Sequence, residues 1–461
     1  MKDIKGGKML KGFSVENFKS FNKNQSISWV PSKYSRHKSH IYGKSGNKVL
    51  KGGLIFGANA GGKSNLIQAI EFAKNIVLNG TDFVDCEKNY FKICAENIDK
   101  PGVFQFDIII NNDDYNYGFA INYKNKTIVS EWLTKTCGSG KEIYLFNRDI
   151  NEFGESTVEY NARTQSNDEK NRLNIYYEDF GKNISPSLKK KTILNDIALR
   201  YSNDEGIIKE IYDVYKWFED LVIIFPFTQY NGIIEDTEQD DTRNFLSKML
   251  NYFDTGIESI NNEKVDFEKV LSSIPQEIRE EMKITISNDI RDGKVGNLSN
   301  GKQFYKICLD ESGATEAKEM ISVHGDSDVK FEYGEESDGT QRLFDLIPIL
   351  YNTNQYRVII IDEIDRSLHT NAVRKFIELF YSVTEGSEKQ LIATTHDSNL
   401  LDLDLLRQDE IWFVRRTLDC SSEIYSLNKF KERFDKKINK EYLLGRYGAI
   451  PIFKDWVIFH D

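Results

Sequence analysis

Eight consecutive residues, Gly57-Ala58-Asn59-Ala60-Gly61-Gly62-Lys63-Ser64, set three glycines, a lysine and a serine at a spacing that suits a polyphosphate. Glycines let the backbone turn its N–H groups inward around an anion. Lys63 then brings a positive charge to the β- and γ-phosphates, and Ser64 a hydroxyl to Mg²⁺. Gly57, Asn59, Gly61, Gly62, Lys63, Ser64 and Asn65 are therefore expected to contact a nucleotide, with ATP and Mg²⁺ as the ligands. A second station is Asp362-Glu363, which closes the apolar run Val358-Ile359-Ile360-Ile361. A carboxylate at a strand tip can hold Mg²⁺, and its neighbour can polarise an attacking water. Asp362 is thus expected at the metal and Glu363 at the water. His396 ends the next apolar run, Gln390 to Thr395, where it can bond the γ-phosphate and sense its loss. Lys63, Glu363 and His396 form the expected catalytic set. Asp365 and His369 fit either a subunit boundary or an ordinary helix-capping loop.

The elements that must position these groups are also legible. Leu54-Ile55-Phe56 reads as a strand entering the glycine loop, and Leu66, Ile67, Ile70, Ala73, Ile76 and Val77 recur at helical spacing after it. The loop therefore opens a helix, whose N-terminus adds partial positive charge. Arg357 to Ile361 reads as a buried strand, Val373, Phe376, Ile377 and Phe380 as a helix face, and Gln390 to Thr395 as the next strand. Such alternation predicts a parallel sheet with covering helices. Phe13 to Phe18 reads as a strand, and residues 103–133 as a β-meander turning at Asn111-Asn112-Asp113-Asp114. Residues 145–300 read as polar and mostly helical, with Ile207, Ile208, Ile211, Tyr215 and Phe218 in one stripe. The expected division is an N-terminal lobe over 1–144, a mainly helical insertion over 145–300 serving a partner, a sensor or dimerisation, and a C-terminal lobe over 301–461.

Composition narrows the class. The chain has 461 residues, enough for about three domains. Its 39% hydrophobic share excludes a disordered chain, and its net charge of −11 argues against an indiscriminate polyanion binder. It has no apolar run of about 18 residues and no apolar region near its first residue, so neither a membrane span nor secretion is expected. Cys86, Cys94, Cys137, Cys308 and Cys420 form no C-x-x-C pair and read as reduced thiols, which fits the cytoplasm.

Taken together, the stations resemble the ABC-type ATPases of the SMC and RecF group. Phe13-Ser14-Val15-Glu16-Asn17-Phe18-Lys19-Ser20-Phe21 is similar to the first strand of that head domain, and Glu336-Ser337-Asp338-Gly339-Thr340-Gln341-Arg342 to its signature loop. The latter departs from the transporter form, L-S-G-G-Q, at Asp338 and Thr340. The resemblance is closer to stand-alone bacterial ATPases of antiphage and abortive-infection systems, relatives of the overcoming-lysogenisation-defect (OLD) enzymes. It rests there on Tyr117-Gly118-Phe119, Ser130-Glu131-Trp132-Leu133, the loop Glu336 to Leu343 and the stretch Tyr442 to Pro451. The implied fold is α/β, an ABC-type P-loop NTPase head with a mixed sheet, an antiparallel β subdomain and a mainly helical insertion.

The resemblance further implies that Ser337 and Gly339 cap the γ-phosphate of nucleotide held by a second subunit. The chain would then form a homodimer, or a higher assembly of dimers. The expected function is an ATP-hydrolysing switch that senses phage infection and controls a separately encoded effector, a TOPRIM-like nuclease or a retron component. No nuclease is expected within the chain itself, Asp402 and Asp404 reading as the start of a surface helix. The alternative is a DNA-binding repair ATPase of RecF or SMC type, with nucleic acid as partner. Its support is Lys189-Lys190-Lys191 and the cluster of Lys429, Lys431, Arg433, Lys436, Lys437 and Lys440. A non-hydrolysing scaffold is disfavoured by Glu363. Gln105 and Gln229 both remain open as the family's Q-loop glutamine.

Overall fold

The computed structural model describes residues 7–451 apart from 44–45, 137–139, 152, 183, 201–204, 231–236, 273–275, 278, 281–282, 284–285, 287–295, 300–302, 310–314, 326–328 and 352–356. Cys137 lies outside the described residues. The chain divides into two units. One comprises Met1–Phe225, Asn354–Ile364 and Tyr381–Asp461, the other Pro226–Thr353 and Asp365–Phe380.

In the first unit, the strands Gly52–Phe56, Val358–Ile361 and Gln390–Thr395 are buried along their whole length. Strands apolar on both faces need cover on both, which is the condition of a parallel sheet. Among the described residues this sheet runs Val222–Ile224, Val358–Ile361, Gln390–Thr395, Gly52–Phe56, Ile411–Arg416, Ser422–Ser426. The first five strands are parallel and the last is antiparallel. Phe56 pairs with Thr395 and Ile361 with Ala393. Three strand ends therefore reach one edge, where ligands of α/β sheets gather. The helix Lys63–Asn79 buries the expected face, Leu66, Ile67, Ile70, Ala73, Ile76 and Val77. Each large member of that face contributes roughly 1.5–3 kcal/mol.

The meander is present as Gly102–Ile110, Asp113–Asn122 and Thr127–Thr136. Asn111 and Asn112 take φ of 54° and 70°, the left-handed pair that a two-residue hairpin turn requires. Glu142–Ile150 and Ser156–Glu159 extend this antiparallel sheet on one side, Lys8–Glu16 and Gln25–Ser28 on the other. One continuous apolar cluster joins both sheets, from Phe13, Phe104 and Phe106 to Ile55, Ile360 and Ile392. The stripe Ile207, Ile208, Ile211, Tyr215 and Phe218 is buried on the helix Gly206–Asp220.

The second unit holds an antiparallel sheet in the order Ile257–Val265, Thr315–His324, Phe304–Leu309, Gly296–Ser299, with Lys330–Glu332 also on Thr315–His324. Its core gathers Leu246, Leu250, Ile257, Ile260, Phe304, Met320, Tyr333, Leu343, Phe344 and Ile347.

The α/β class, mixed sheet and antiparallel sheet agree with expectation. The middle stretch does not. The division falls at residue 225 rather than 144, and the remainder of 145–300 supplies strands to a sheet as well as helices. Ile257–Val265 reads Ile-Glu-Ser-Ile-Asn-Asn-Glu-Lys-Val, too polar to announce a strand. It is one because Thr315–His324, far along the chain, supplies the ladder, a tertiary decision that local propensity does not encode. Among the described residues no helix is long and apolar enough to cross a membrane.

Candidate functional site

The glycine loop leaves the buried strand at Phe56 and enters the helix at Lys63. Ala60 and Gly62 take φ of 59° and 113°, and such reversals of backbone hand turn successive N–H groups to one side. Gly62 occupies the N-cap position with no side-chain hydrogen bond, so no side chain caps the helix start. A Cβ on Gly62 would lie 2.1 Å from Ser422 Oγ. Lys63 is 4% exposed, and its Nζ donates to Gly57 O at 2.7 Å and to Ala58 O at 3.2 Å. The same amine lies 3.1 Å from His396 Nδ1. An ammonium has only protons to give, so Nδ1 accepts and the ring proton belongs on Nε2. His396 Nε2 in turn lies 3.6 Å from Glu363 Oε1. Lys63, His396 and Glu363 thus form a row across the sheet edge.

The two carboxylates share one anchor. Asp362 is 2% exposed, and its N–H donates to Ile224 O at 2.8 Å. Thr394 Oγ1 donates to Asp362 Oδ1 at 2.5 Å and accepts the Glu363 N–H at 2.8 Å. Glu363 has φ of 52°, a left-handed conformation that costs on the order of 1 kcal/mol in a residue other than glycine. Thr394 was not among the expected site residues; a hydroxyl at a buried strand tip two positions before His396 is the signal that could have marked it.

These residues fit a nucleoside triphosphate with Mg²⁺. The loop approaches its neighbours too closely for a side chain at Gly62, the helix start is uncapped, and Ser64 and Asp362 are the hard oxygen donors that Mg²⁺ takes. Asn59 is exposed at the loop's tip. The Asn65 amide donates to Ser20 Oγ at 2.8 Å.

The signature-like loop lies in the second unit. Ser337 is exposed and caps the helix Asp338–Leu346, its Oγ accepting the Thr340 N–H at 3.2 Å. A Cβ on Gly339 would meet Ser367 O at 2.9 Å. The preceding Glu336 is buried and accepts from Ser322 Oγ and from His324 Nε2, the latter at 2.8 Å. Further along the helix, burial pushes Asp345 up to about 6, against the pull of the Tyr230 N–H and of Arg342. His369 Nδ1 accepts the Asn371 N–H at 3.1 Å and Asp365 O accepts the Leu368 N–H, the contacts of a helix-capping loop. Gln105 sits in mid-strand, paired with Ser14 and Gly118. Gln229 follows the strand Val222–Ile224, a neighbour of the strand that leads to Asp362.

Other motif residues turn out to be structural. Tyr117 OH donates to Glu131 at 3.2 Å, and Glu131 caps the helix Ile193–Arg200 by accepting N–H groups of Ile193 and Leu194. Tyr442 and Tyr447 stack with Phe413. Four of the nine side chains in the basic clusters have polar partners within the chain: Lys189 bonds Gly154 O, Lys190 pairs with Asp82, Arg433 with Asp435, and Lys436 with Glu432 and Glu441. Asp402 and Asp404 lie in a turn rather than a helix, where Asp402 Oδ1 accepts the Asp404 N–H at 2.9 Å.

No curated protein matches the chain. Among solved structures, an SMC head bound to the C-winged helix domain of ScpA is 16% identical over 92% of this chain and 99% of that one, with a TM-score of 0.36. The SMC head domain from Thermotoga maritima is 13% identical over 90% and 98%, with a TM-score of 0.35. An SMC head with an extended coiled coil, bound to the C-terminal domain of ScpA derived from Pyrococcus furiosus, is 14% identical over 95% and 100%, also at 0.35. Residues 54–402 match the family described as "AAA domain, putative AbiEii toxin, Type IV TA system", and the chain belongs to that family, AAA_21.

Proposed function

We propose that the protein binds and hydrolyses ATP, and that two copies close over two nucleotides as a cytoplasmic switch. That switch senses phage infection and controls a separately encoded effector, a TOPRIM-like nuclease or a retron component. The observation that carries the hydrolytic part is the row Lys63, His396, Glu363, with gaps of 3.1 and 3.6 Å, at the sheet edge where the glycine loop also ends.

Mg²⁺, held by Ser64 and Asp362, would supply neutralisation of phosphate charge. The rest is the work of side chains. Lys63 donates to phosphate oxygens, and the inward N–H groups of the loop share the remaining negative charge. Thr394 fixes Glu363 through its backbone N–H, which leaves the carboxylate to orient and deprotonate water. His396 Nε2–H faces that carboxylate and can bond the transferred group.

The dimer rests on the second unit. Ser337 presents a hydroxyl at an exposed helix start, chemistry suited to an anion brought by another copy. The family description, which names the AbiEii toxin and a type IV toxin–antitoxin system, supports a defence setting and a protein partner. The DNA-binding alternative is weakened only at Lys190, Arg433 and Lys436, whose charges already face acidic partners.

The test is ATP turnover by the full chain, followed by mass measurement after co-expression with the product of an adjacent gene, with and without ATP. Turnover and ATP-dependent co-migration are expected. Salt-sensitive duplex binding without any effect of the neighbouring product would replace the switch with the repair reading.

A further inference from the structure

We infer that Ser422, on the antiparallel last strand of the mixed sheet, is a positioning residue for the phosphate loop. This rests on reading that loop as a nucleotide site. Ser422 is 3% exposed, and its N–H donates to Ser20 O at 2.7 Å. Its Oγ lies 2.7 Å from Gly61 O and 2.8 Å from Ser20 Oγ. A hydroxyl has one proton, and a carbonyl can only accept. Ser422 Oγ is therefore the donor, its one proton shared between Gly61 O and Ser20 Oγ. Asn65 completes the chain by donating its amide to Ser20 Oγ at 2.8 Å. Ser20 Oγ thus accepts from both Asn65 and Ser422, and the network holds Ser422 against the Gly61 carbonyl.

The consequence for the loop follows from peptide geometry. In a planar trans peptide the carbonyl and the next N–H point in opposite directions. With Gly61 O turned onto Ser422, the Gly62 N–H is turned away from Ser422, toward the side where the loop receives its anion. The missing side chain of Gly62 is what lets Ser422 approach, since a Cβ there would stand 2.1 Å from its Oγ. Glycine and serine are thus two halves of one device: the first makes the space, and the second uses it to set one of the donors. The serine comes from a hairpin more than three hundred residues further along the chain, which ties the shape of the loop to the order of the C-terminal hairpin Ile411–Ser426.

The experiment titrates ATP into the full chain and into Ser422→Ala, Ser422→Cys, Ser20→Ala, Ser426→Ala and Lys63→Ala, with Kd, KM, kcat and melting temperature as readouts. Ser426 is on the same strand, but its hydroxyl accepts the Asn428 N–H, so its loss controls for general weakening. Ser422→Ala should weaken ATP binding about tenfold, the scale of a buried carbonyl left without its donor. KM should rise more than kcat falls, at a melting temperature matching Ser426→Ala. Ser20→Ala leaves the Ser422 proton to Gly61 O alone and should keep Kd within about twofold of the parent. Ser422→Cys, nearly isosteric and a weak donor, should fall between serine and alanine and decides the matter if the alanine variant melts early. If Ser422→Ala and Ser422→Cys bind ATP as Ser426→Ala does while Lys63→Ala binds none, the inference fails and the nucleotide site stands. If Lys63→Ala binds ATP like the parent, the nucleotide reading itself fails.

Discussion

The loop Gly57–Gly62 and the loop Glu336–Gly339 invite comparison, because each opens a helix and each is gripped from a strand of its own unit. Ser422 holds the first through the Gly61 carbonyl, and Ser322 with His324 holds the second through the Glu336 carboxylate. They differ in how the helix begins. Gly62 offers its helix no side chain, while Ser337 already accepts the Thr340 N–H. An uncapped helix start is an anion site in its own right. A serine-capped one is self-satisfied and can only add a contact to a ligand that other groups already hold. Under the proposed function, the first loop would bind the nucleotide and the second would complete a site across a dimer.

The largest expected effect separates the loops directly. Lys63→Ala should abolish ATP binding, with Kd raised at least a hundredfold, whereas Ser337→Ala should leave each copy's affinity within about twofold. Equal losses by calorimetry would erase the division of labour. Next, Glu363→Gln should slow turnover by a factor of about 10²–10⁴, the usual worth of a positioned base, while binding persists and mass measurement finds an ATP-dependent dimer. Turnover at the parent rate would remove Glu363 from the chemistry. Combining Glu363→Gln with Gly339→Val should dissolve that trapped dimer, because any Cβ would press on Ser367 O; a dimer that survives would acquit the second loop.

The smallest effect concerns pH. Burial raises the native pKa of Asp345 from an ordinary 3.8 to about 6. A carboxyl that holds its proton longer when folded favours folding at low pH, and that advantage is lost as pH rises from about 4 to about 6. Asp345→Asn should remove a pH-dependent term on the order of 3 kcal/mol. Melting curves at pH 5 and 7.5 should therefore differ less in the variant than in the parent. An unchanged difference would mean that Asp345 titrates as an exposed carboxyl.

Why the first loop was legible and its supports were not is a matter of sequence distance. Glycines, lysine and serine sit together between a strand and a helix, so Gly57 to Ser64 could be read locally, as could Asp362-Glu363 and His396 at the ends of apolar runs. Thr394 carries a local signal two positions before His396, but its bond to Asp362 exists only once the sheet sets the two side by side. Ser20 and Ser422 are ordinary serines until the fold brings them under Gly62. The strand Ile257–Val265 escaped for the same reason, since its partner lies beyond the local window. The meander and the stripe from Ile207 to Phe218 were plain because alternation and helical spacing are local patterns.

The strand Gln390–Thr395 lies between the strand that feeds the lysine and the strand that ends in the acidic pair. It therefore acts as a ruler. Neighbouring strands stand about 4.8 Å apart, so the two strands that carry the stations are separated by about 10 Å whatever residues occupy the loops, a gap that the Lys63 and Glu363 side chains narrow across His396. Loop substitutions can tune the charge on either side of that gap, but only a change in strand order could alter its width.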